Sequence, residues 1–210
     1  MLGIHRVVRI LIALWLIALW LWSADLHAQS NTFTDAYNRG QAFYEAGQLE
    51  SAIAHWRRAL ELGEREFGRD HPKTAHLLSN LAGLYDLQDR HGVAEPLHRR
   101  ALAIWQKALG PDHSDVAKGF YNLALSYFAQ RRYNEAESLF KRSLVVWEKA
   151  LGPDHPNVAK GLHNLATLYF SQGRFAAAEP LYKRALAIGE KTLGPDHPDV
   201  AKSLANLAAI

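Results

Sequence analysis

The stretch "KALGPDHPNVAKGLHNLATLYFSQGRFAAAEPLYKRALAI", from Lys149 to Ile188, decides the fold because the chain contains it more than once. A closely similar stretch, "KALGPDHSDVAKGFYNLALSYFAQRRYNEAESLFKRSLVV", precedes it from Lys107 to Val146. A further copy begins with "KTLGPDHPDVAKSLANLAAI" at Lys191. Self-similarity of this kind is the sequence signature of stacked structural repeats.

The interval between copies is constant at 42 residues. It separates the glycines of the "G-x-D-H" motif, which are Gly68, Gly110, Gly152 and Gly194. It also separates two further series, which are Asn80, Asn122, Asn164 and Asn206, and Ala52, Ala94, Ala136 and Ala178. An interval held over so many positions predicts one structural unit for each copy.

Each copy carries two amphipathic helix patterns. In the third copy, apolar residues recur every three or four positions, first around Phe120 and Tyr127 and then around Phe140 and Trp147. A short polar segment between the patterns predicts a tight turn, and no stretch alternates as a strand would. The sequence therefore predicts pairs of antiparallel helices.

The "LGPDHP" loops are expected to end one helix and begin the next. Gly110, Gly152 and Gly194 suit the left-handed position after a helix end. Pro156 and Pro198 suit the first turn of a helix. We expect Asp112, Asp154 and Asp196 to accept backbone N–H groups there.

The motif "NLAxxY" in the first helix, followed by "A-E-x-L" and a small residue in the second, resembles the tetratricopeptide repeat (TPR). The 42-residue period and "LGPDHPxVAxxxxNLAxLY" resemble its kinesin light chain type, over Thr34 to Ile210. The first copy departs from the pattern with "NRGQAFYEAG". The resemblance implies an all-α, right-handed superhelical solenoid of antiparallel helix pairs, with four pairs plus one extra C-terminal helix.

The predicted domain organisation follows these boundaries. Residues 1–28 form a leader and 29–33 a short linker; the four repeats occupy 34–68, 69–110, 111–152 and 153–194. Residues 195–210 are predicted to form the first helix of a truncated fifth repeat. That helix could act as a lid, or the chain could be a fragment of a longer protein, which we favour because solenoids normally finish with a polar cap.

The leader has the pattern of a signal peptide. Arg6 and Arg9 precede the apolar run from Ile10 to Trp22, and a small polar segment follows. We expect cleavage after Ala28 and export to the periplasm or the exterior, although Leu26 departs from the usual cleavage motif. The alternative is an uncleaved N-terminal membrane anchor.

Composition excludes several classes of function. The formal net charge is only +3, and no basic patch argues for a nucleic-acid partner. The chain has no cysteine, which excludes disulfides, thiolate metal sites and a cysteine nucleophile. The recurring Asp-His pairs look like metal ligands, but stacked helices about 8–10 Å apart would keep equivalent loops from sharing an ion. With no phosphate loop or HExxH motif either, we predict no metal, no cofactor and no enzyme activity.

The asparagine series has two interpretations. An amide could clamp the backbone of a bound peptide, because it offers a donor and an acceptor together. It could instead hold the loop of the adjacent repeat, which we favour because buried polar groups need partners.

The resemblance implies that the first helices line a concave groove that binds peptides. We predict that the groove is formed by Tyr37, Tyr44, His76, Lys118, Tyr121, Phe128, Lys160, His163, Phe170 and Lys202, flanked by Gln41, Ser79, Gly83, Asp86, Leu125 and Thr167. In the competing interpretation, Phe128 and Phe170 pack against the next repeat and the lysines are merely solvated.

The lysines at equal spacing favour a protein or peptide partner that is acidic and has an aromatic or aliphatic anchor. A membrane would be a partner only if the leader is retained. The chain could alternatively be a regulatory arm of a larger enzyme whose catalytic domain is missing, or an oligomerisation module that self-associates through its open C-terminal helix.

Overall fold

The computed structural model describes residues 32–210, and every regular element within that range is an α-helix. The helices are α1 (Phe33–Glu45), α2 (Leu49–Glu66), α3 (Pro72–Asp86), α4 (His91–Leu109), α5 (Ser114–Ala129), α6 (Tyr133–Leu151), α7 (Pro156–Ser171), α8 (Phe175–Leu193) and α9 (Pro198–Ala208). The predicted leader, residues 1–28, lies outside the described residues. Among the helices that are described, none is both long and apolar enough to cross a membrane.

The helices fall into two compact units, of which the first contains α1 and α2. These two helices pack as a hairpin around Trp56, which is almost completely buried. Gly40 faces the indole so closely that an added Cβ would lie 2.2 Å from the ring. The glycine is therefore required by the close approach of the two helices, at the small-residue position of the repeat.

The second unit contains α3 to α9. Helices α3 and α4, α5 and α6, and α7 and α8 form three hairpins, and each hairpin also packs on the helix that follows it. Ala124 and Ala136 are fully buried where α5 meets α6, because only a small side chain lets two helix backbones approach there. Over residues 32–210, the predicted architecture of four helix pairs and one further helix is confirmed.

The loops between repeats depend on glycine. Gly110, Gly152 and Gly194 have φ values of 86°, 90° and 87°, with ψ between 158° and 162°. The positive φ was predicted, but the extended ψ places these residues outside the left-handed helical region. This combination is essentially restricted to glycine.

Histidine, not aspartate, caps the three helices that follow the loops of Gly68, Gly110 and Gly152. The imidazoles of His71, His113 and His155 each accept a hydrogen bond from the backbone N–H two residues later, at 3.1 Å. The predicted aspartate caps are therefore wrong at Asp112 and Asp154. The histidine occupies the cap position, and the aspartate before it forms an ion pair with a lysine near the end of the second helix of the same repeat. Asp112 pairs with Lys149, and Asp154 pairs with Lys191.

A carboxylate clamp ties each of two hairpins to the next one. The Glu137 carboxylate on α6 accepts hydrogen bonds from Tyr169 at 2.9 Å and Arg174 at 2.8 Å, both in the following repeat. The equivalent Glu95 on α4 accepts from Tyr127 and Arg132, each at 2.8 Å. Since both clamps bridge successive repeats, they stabilise the stacking itself.

The Glu137 clamp should be measurable in the pH dependence of stability. Partial burial by itself raises the pKa of Glu137, but hydrogen bonds from Lys141, Arg174 and Tyr169 outweigh it and lower the pKa to about 2. A carboxyl with a depressed pKa stabilises the fold above its unfolded value of 4.5, and that stabilisation is lost as the pH falls toward about 2.

We predict that Glu137→Gln lowers the free energy of unfolding by about 1.5–3 kcal/mol at pH 7, because charge-assisted hydrogen bonds are lost. The difference from the wild type should shrink as the pH is lowered from 4.5 toward 2 in urea denaturation followed by circular dichroism. Glu179→Gln is the matched control, since Glu179 occupies the equivalent position, is half exposed and pairs with Lys183 on its own helix. Equal effects of the two substitutions would contradict the role assigned to the clamp.

Candidate functional site

Three lysines stand at equivalent positions on the first helices of successive repeats. Lys118 on α5, Lys160 on α7 and Lys202 on α9 are all exposed. Lys160 also places its ammonium group 5.2 Å from the centre of the Tyr121 ring. We call this set the lysine row. All three side chains therefore lie at the surface of the second unit.

His76 holds the corresponding position on α3. Its ring lies edge-on to Trp105, with 5.1 Å between the ring centres, and its Nε2 lies 3.7 Å from a carboxylate oxygen of Asp115. Partial burial lowers the pKa of His76, and Lys118 lowers it further, against the opposing attraction of Asp115. This position therefore adds less positive charge at neutral pH than a lysine would.

Tyr121 is not a wall of the groove as predicted. Its side chain is buried, with its ring 5.8 Å from Phe140 and 5.2 Å from Trp147. The hydroxyl accepts a hydrogen bond from Asn164 of the next repeat. The prediction is wrong because the second helix of the same hairpin supplies aromatic rings that cover Tyr121.

Phe128 and Phe170 are half-buried at the ends of their first helices. Phe128 packs on Tyr133, with 5.8 Å between ring centres, and Phe170 packs on Phe175 at 5.2 Å. Each contact is made to the second helix of the same hairpin, so these pairs secure the turn between the two helices. Their remaining exposed surface is what a partner could reach.

The two tyrosines predicted in the first unit differ in exposure. Tyr37 is half-buried and stacks between Phe33 and Trp56, with ring centres 6.1 and 6.2 Å away. Tyr44 is 42% exposed and lies 5.8 Å from Trp56. Tyr44 is therefore the more accessible of the two.

His163 is committed to contacts within the fold. Its ring lies edge-on to Tyr182, with 5.2 Å between ring centres, and its Nδ1 lies 3.1 Å from the hydroxyl of Ser203 on α9. The predicted groove residue thus links α7 to both α8 and α9.

The asparagine series has the structural role that we favoured, with a different partner. Asn122 donates to the Ser79 hydroxyl at 2.9 Å, and Asn164 donates to Tyr121. Asn206 lies 3.5 Å from Nε2 of His163. Each of these three asparagines therefore contacts the first helix of the preceding repeat, and not a loop as predicted.

In the second repeat, Asp86 and His91 stand where the third repeat has the aromatic pair Phe128 and Tyr133. They belong to a polar cluster that we did not predict as a unit. The Asp86 carboxylate lies 2.7 Å from His91 Nδ1 and 2.9 Å from His98 Nε2, and it accepts a hydrogen bond of 2.8 Å from Ser126. Partial burial raises the pKa of Asp86, but the hydrogen bonds from these three partners outweigh it and leave the pKa below its usual value. Alignment of the copies at the 42-residue interval shows that Asp86, His91 and His98 replace aromatic residues, but it does not show that Ser126 joins them.

This cluster does not have the arrangement of a nucleophilic site. Ser126 donates to the carboxylate itself, so no histidine stands between Asp86 and the serine to activate it. Among the described residues, no group of three or more histidine, aspartate or glutamate side chains could hold a metal ion. The cluster therefore joins α3, α4 and α5 as a structural element.

Comparison with known proteins supports the assignment of the repeats. The family model described as "Tetratricopeptide repeat" matches residues 32–107, 87–144, 115–191 and 162–210. No curated protein matches the chain.

Solved structures with similar folds are kinesin light chain-like. Nearly identical TPR-like repeats of the kinesin light chain type from Podosopora anserina match with a TM-score of 0.70 and 24% identity, over 84% of this chain and 83% of that one. A crystal structure of a single-substitution variant of these repeats matches equally well. BtubC (BKLC) from P. vanneervenii matches with a TM-score of 0.70 and 22% identity, over 79% of this chain and 66% of that one.

At these identities the similar structures establish the fold alone. The family model, by contrast, covers most of the chain. The chain therefore belongs to the tetratricopeptide repeat family, and its fold is similar to that of kinesin light chain-like repeats.

Proposed function

We propose that the first-helix surface of the second unit captures an acidic segment of a partner protein. TPR repeats are generally scaffolds for protein–protein interaction, and their fold is typically non-catalytic. The observation that carries the proposal is the lysine row, Lys118, Lys160 and Lys202, exposed at one position of three consecutive repeats. In this mechanism the partner is held by contacts, and no covalent bond is made or broken.

The charges favour a partner of defined chemistry. Carboxylates spaced along an extended segment would meet successive lysines, and the attraction would steer the encounter as well as stabilise the complex. The exposed edges of Phe128 and Phe170 offer apolar surface for an aromatic or aliphatic anchor between the acidic residues. Tyr121 has no part in this surface because it is buried.

A second candidate function is self-association through α9. Leu204 and Ile210 are 49% and 41% exposed. The residues equivalent to Leu204 in the preceding repeats, which are Leu78, Phe120 and Leu162, are all buried. An apolar face that other repeats cover is therefore open on α9, and a second copy of the chain could cover it.

We also propose that the repeats work outside the cytoplasm. The proposal rests on the basic and apolar pattern of residues 1–28. Repeats without cysteine fold without difficulty in an oxidising compartment.

The lysine row can be tested with a synthetic peptide that has one tryptophan flanked by aspartate and glutamate residues. We expect Lys160→Glu to weaken binding by roughly three- to tenfold in fluorescence anisotropy at low salt. The matched control is Lys183→Glu, which makes the same charge change on the second helix α8 and should have little effect. Equal affinity for a peptide with lysine flanks would reject an acidic partner.

Self-association can be tested by light scattering over a range of protein concentrations. We expect the mass of the wild type to rise with concentration and that of Leu204→Glu to remain at the monomer value. Glutamate at this position would place a charge on the apolar face that a second copy would have to bury. A wild-type mass that does not change with concentration would exclude this candidate.

Export can be tested by expressing the full chain in a bacterium and separating the periplasm, membrane and cytoplasm. We expect mature protein in the periplasm with its amino terminus at Gln29, the residue after the predicted cleavage site. Protein retained in the membrane with an intact leader would favour the anchor. Protein found only in the cytoplasm would contradict export.

A further inference from the structure

A tryptophan fills the contact to the following repeat in the second and third repeats, whereas the fourth repeat has glycine at the same position. The equivalent residues, spaced 42 apart, are Gly63, Trp105, Trp147 and Gly189. Trp105 and Trp147 are buried and each packs on a glycine of the next first helix, Gly119 and Gly161 respectively. The large side chain and the small one fit together, so each pair fills the space between two repeats.

The corresponding pair in the fourth repeat has no large member. Gly189 stands in place of the tryptophan, and Ser203 stands in place of the glycine on α9. In the third repeat, Tyr121 rests on both Phe140 and Trp147. In the fourth, His163 rests on Tyr182, and Gly189 contributes no side chain to the contact.

A pocket of about 450 Å³ lies at this place, between α7, α8 and α9. Its lining includes Ala185, Gly189, Lys160, His163, Lys202 and Ser203. The volume falls within the range of about 300–1,000 Å³ that is usual for small-molecule sites. Small residues at this place leave room for a flat ring. A bound ring would give the atoms around the pocket the dispersion contacts that an indole supplies in the preceding repeats.

The charged residues around the pocket determine which sign of charge a bound ligand should carry. Lys160 and Lys202 are exposed cations that line the pocket on α7 and α9. Asn164 adds an amide to the lining, and no aspartate or glutamate is among the described residues that line the pocket. A ligand with an anionic group would therefore be attracted, whereas a cationic ligand would be repelled.

We propose that this pocket binds a small aromatic acid, whose planar ring occupies the place of the missing tryptophan and whose carboxylate meets Lys160 and Lys202. This function shares Lys160 and Lys202 with peptide capture but differs from it, because it requires the space left at Gly189 and does not involve Lys118. The geometry of the two preceding repeats supplies the argument for a ring, and the two lysines supply the argument for an acid.

The proposal can be tested by calorimetric titration of the full chain with indole-3-acetate up to about 5 mM, a range suited to a ligand of this size. We expect indole-3-acetate to bind roughly three- to tenfold more tightly than uncharged indole-3-acetamide, and acetate not to bind measurably. Lys160→Gln and Lys202→Gln should each weaken indole-3-acetate by roughly two- to fivefold, while Lys118→Gln should not.

The decisive variant restores the pair found in the second and third repeats. Gly189→Trp combined with Ser203→Gly should fill the pocket and abolish binding of indole-3-acetate. Gly189→Ala is the matched control: it adds one methyl group, near Val200, and should leave most of the pocket open. Circular dichroism would verify that each variant remains helical, and if the double variant were unfolded, the lysine variants would carry the test.

Several results would overturn the proposal. These are no binding of indole-3-acetate to the wild type, unchanged binding in the folded double variant, and equal affinity for the acid and the amide. A tryptophan-containing acidic peptide that binds while indole-3-acetate does not would assign the pocket to a partner's side chain, and would reject the small-molecule site.

Loss of peptide binding in Lys118→Glu with indole-3-acetate binding retained would distinguish the two functions.

Discussion

The second unit depends on the burial of one hairpin's apolar face by the next hairpin. A pair of helices has two apolar surfaces, and packing the helices together hides only one of them. Tyr127 shows both requirements in one residue: its ring is buried in the core, and its hydroxyl donates to Glu95 of the preceding repeat. Because every helix pair needs its neighbour, the conformation of the loops and the small residues at the helix contacts are constraints on stacking as much as on each hairpin.

Much of the fold could be predicted because its signals are local and repeat. Helical periodicity, a fixed interval and the loop glycines are visible in the sequence without knowledge of any contact. The same evidence misjudged which loop residue caps the helix, because aspartate and histidine are adjacent and both can accept a backbone N–H. The structure shows that His113 accepts the backbone N–H, while Asp112 pairs with Lys149. The sequence alone does not distinguish between these two roles.

The candidate site was predicted less well because exposure depends on neighbours that are distant in sequence. Lys118 and Lys160 are exposed as expected, yet Tyr121, three residues after Lys118 on the same helix, is covered by Phe140 and Trp147. A helix pattern locates the face of a residue but not the size of the side chain opposite it. That size varies between copies, as the replacement of tryptophan by Gly189 shows, so equivalent positions need not have equivalent accessibility.

The carboxylate clamps have a consequence for how the unit opens. Glu95 and Glu137 each bind a tyrosine and an arginine from the following repeat, whereas the equivalent Glu179 contacts Lys183 of its own helix. Each of the two clamped junctions therefore has a restraint that depends on the charge of a single carboxylate, in addition to its apolar packing. In a linear array of nearest-neighbour contacts, loss of that charge would loosen one junction and leave the apolar packing of the others unchanged.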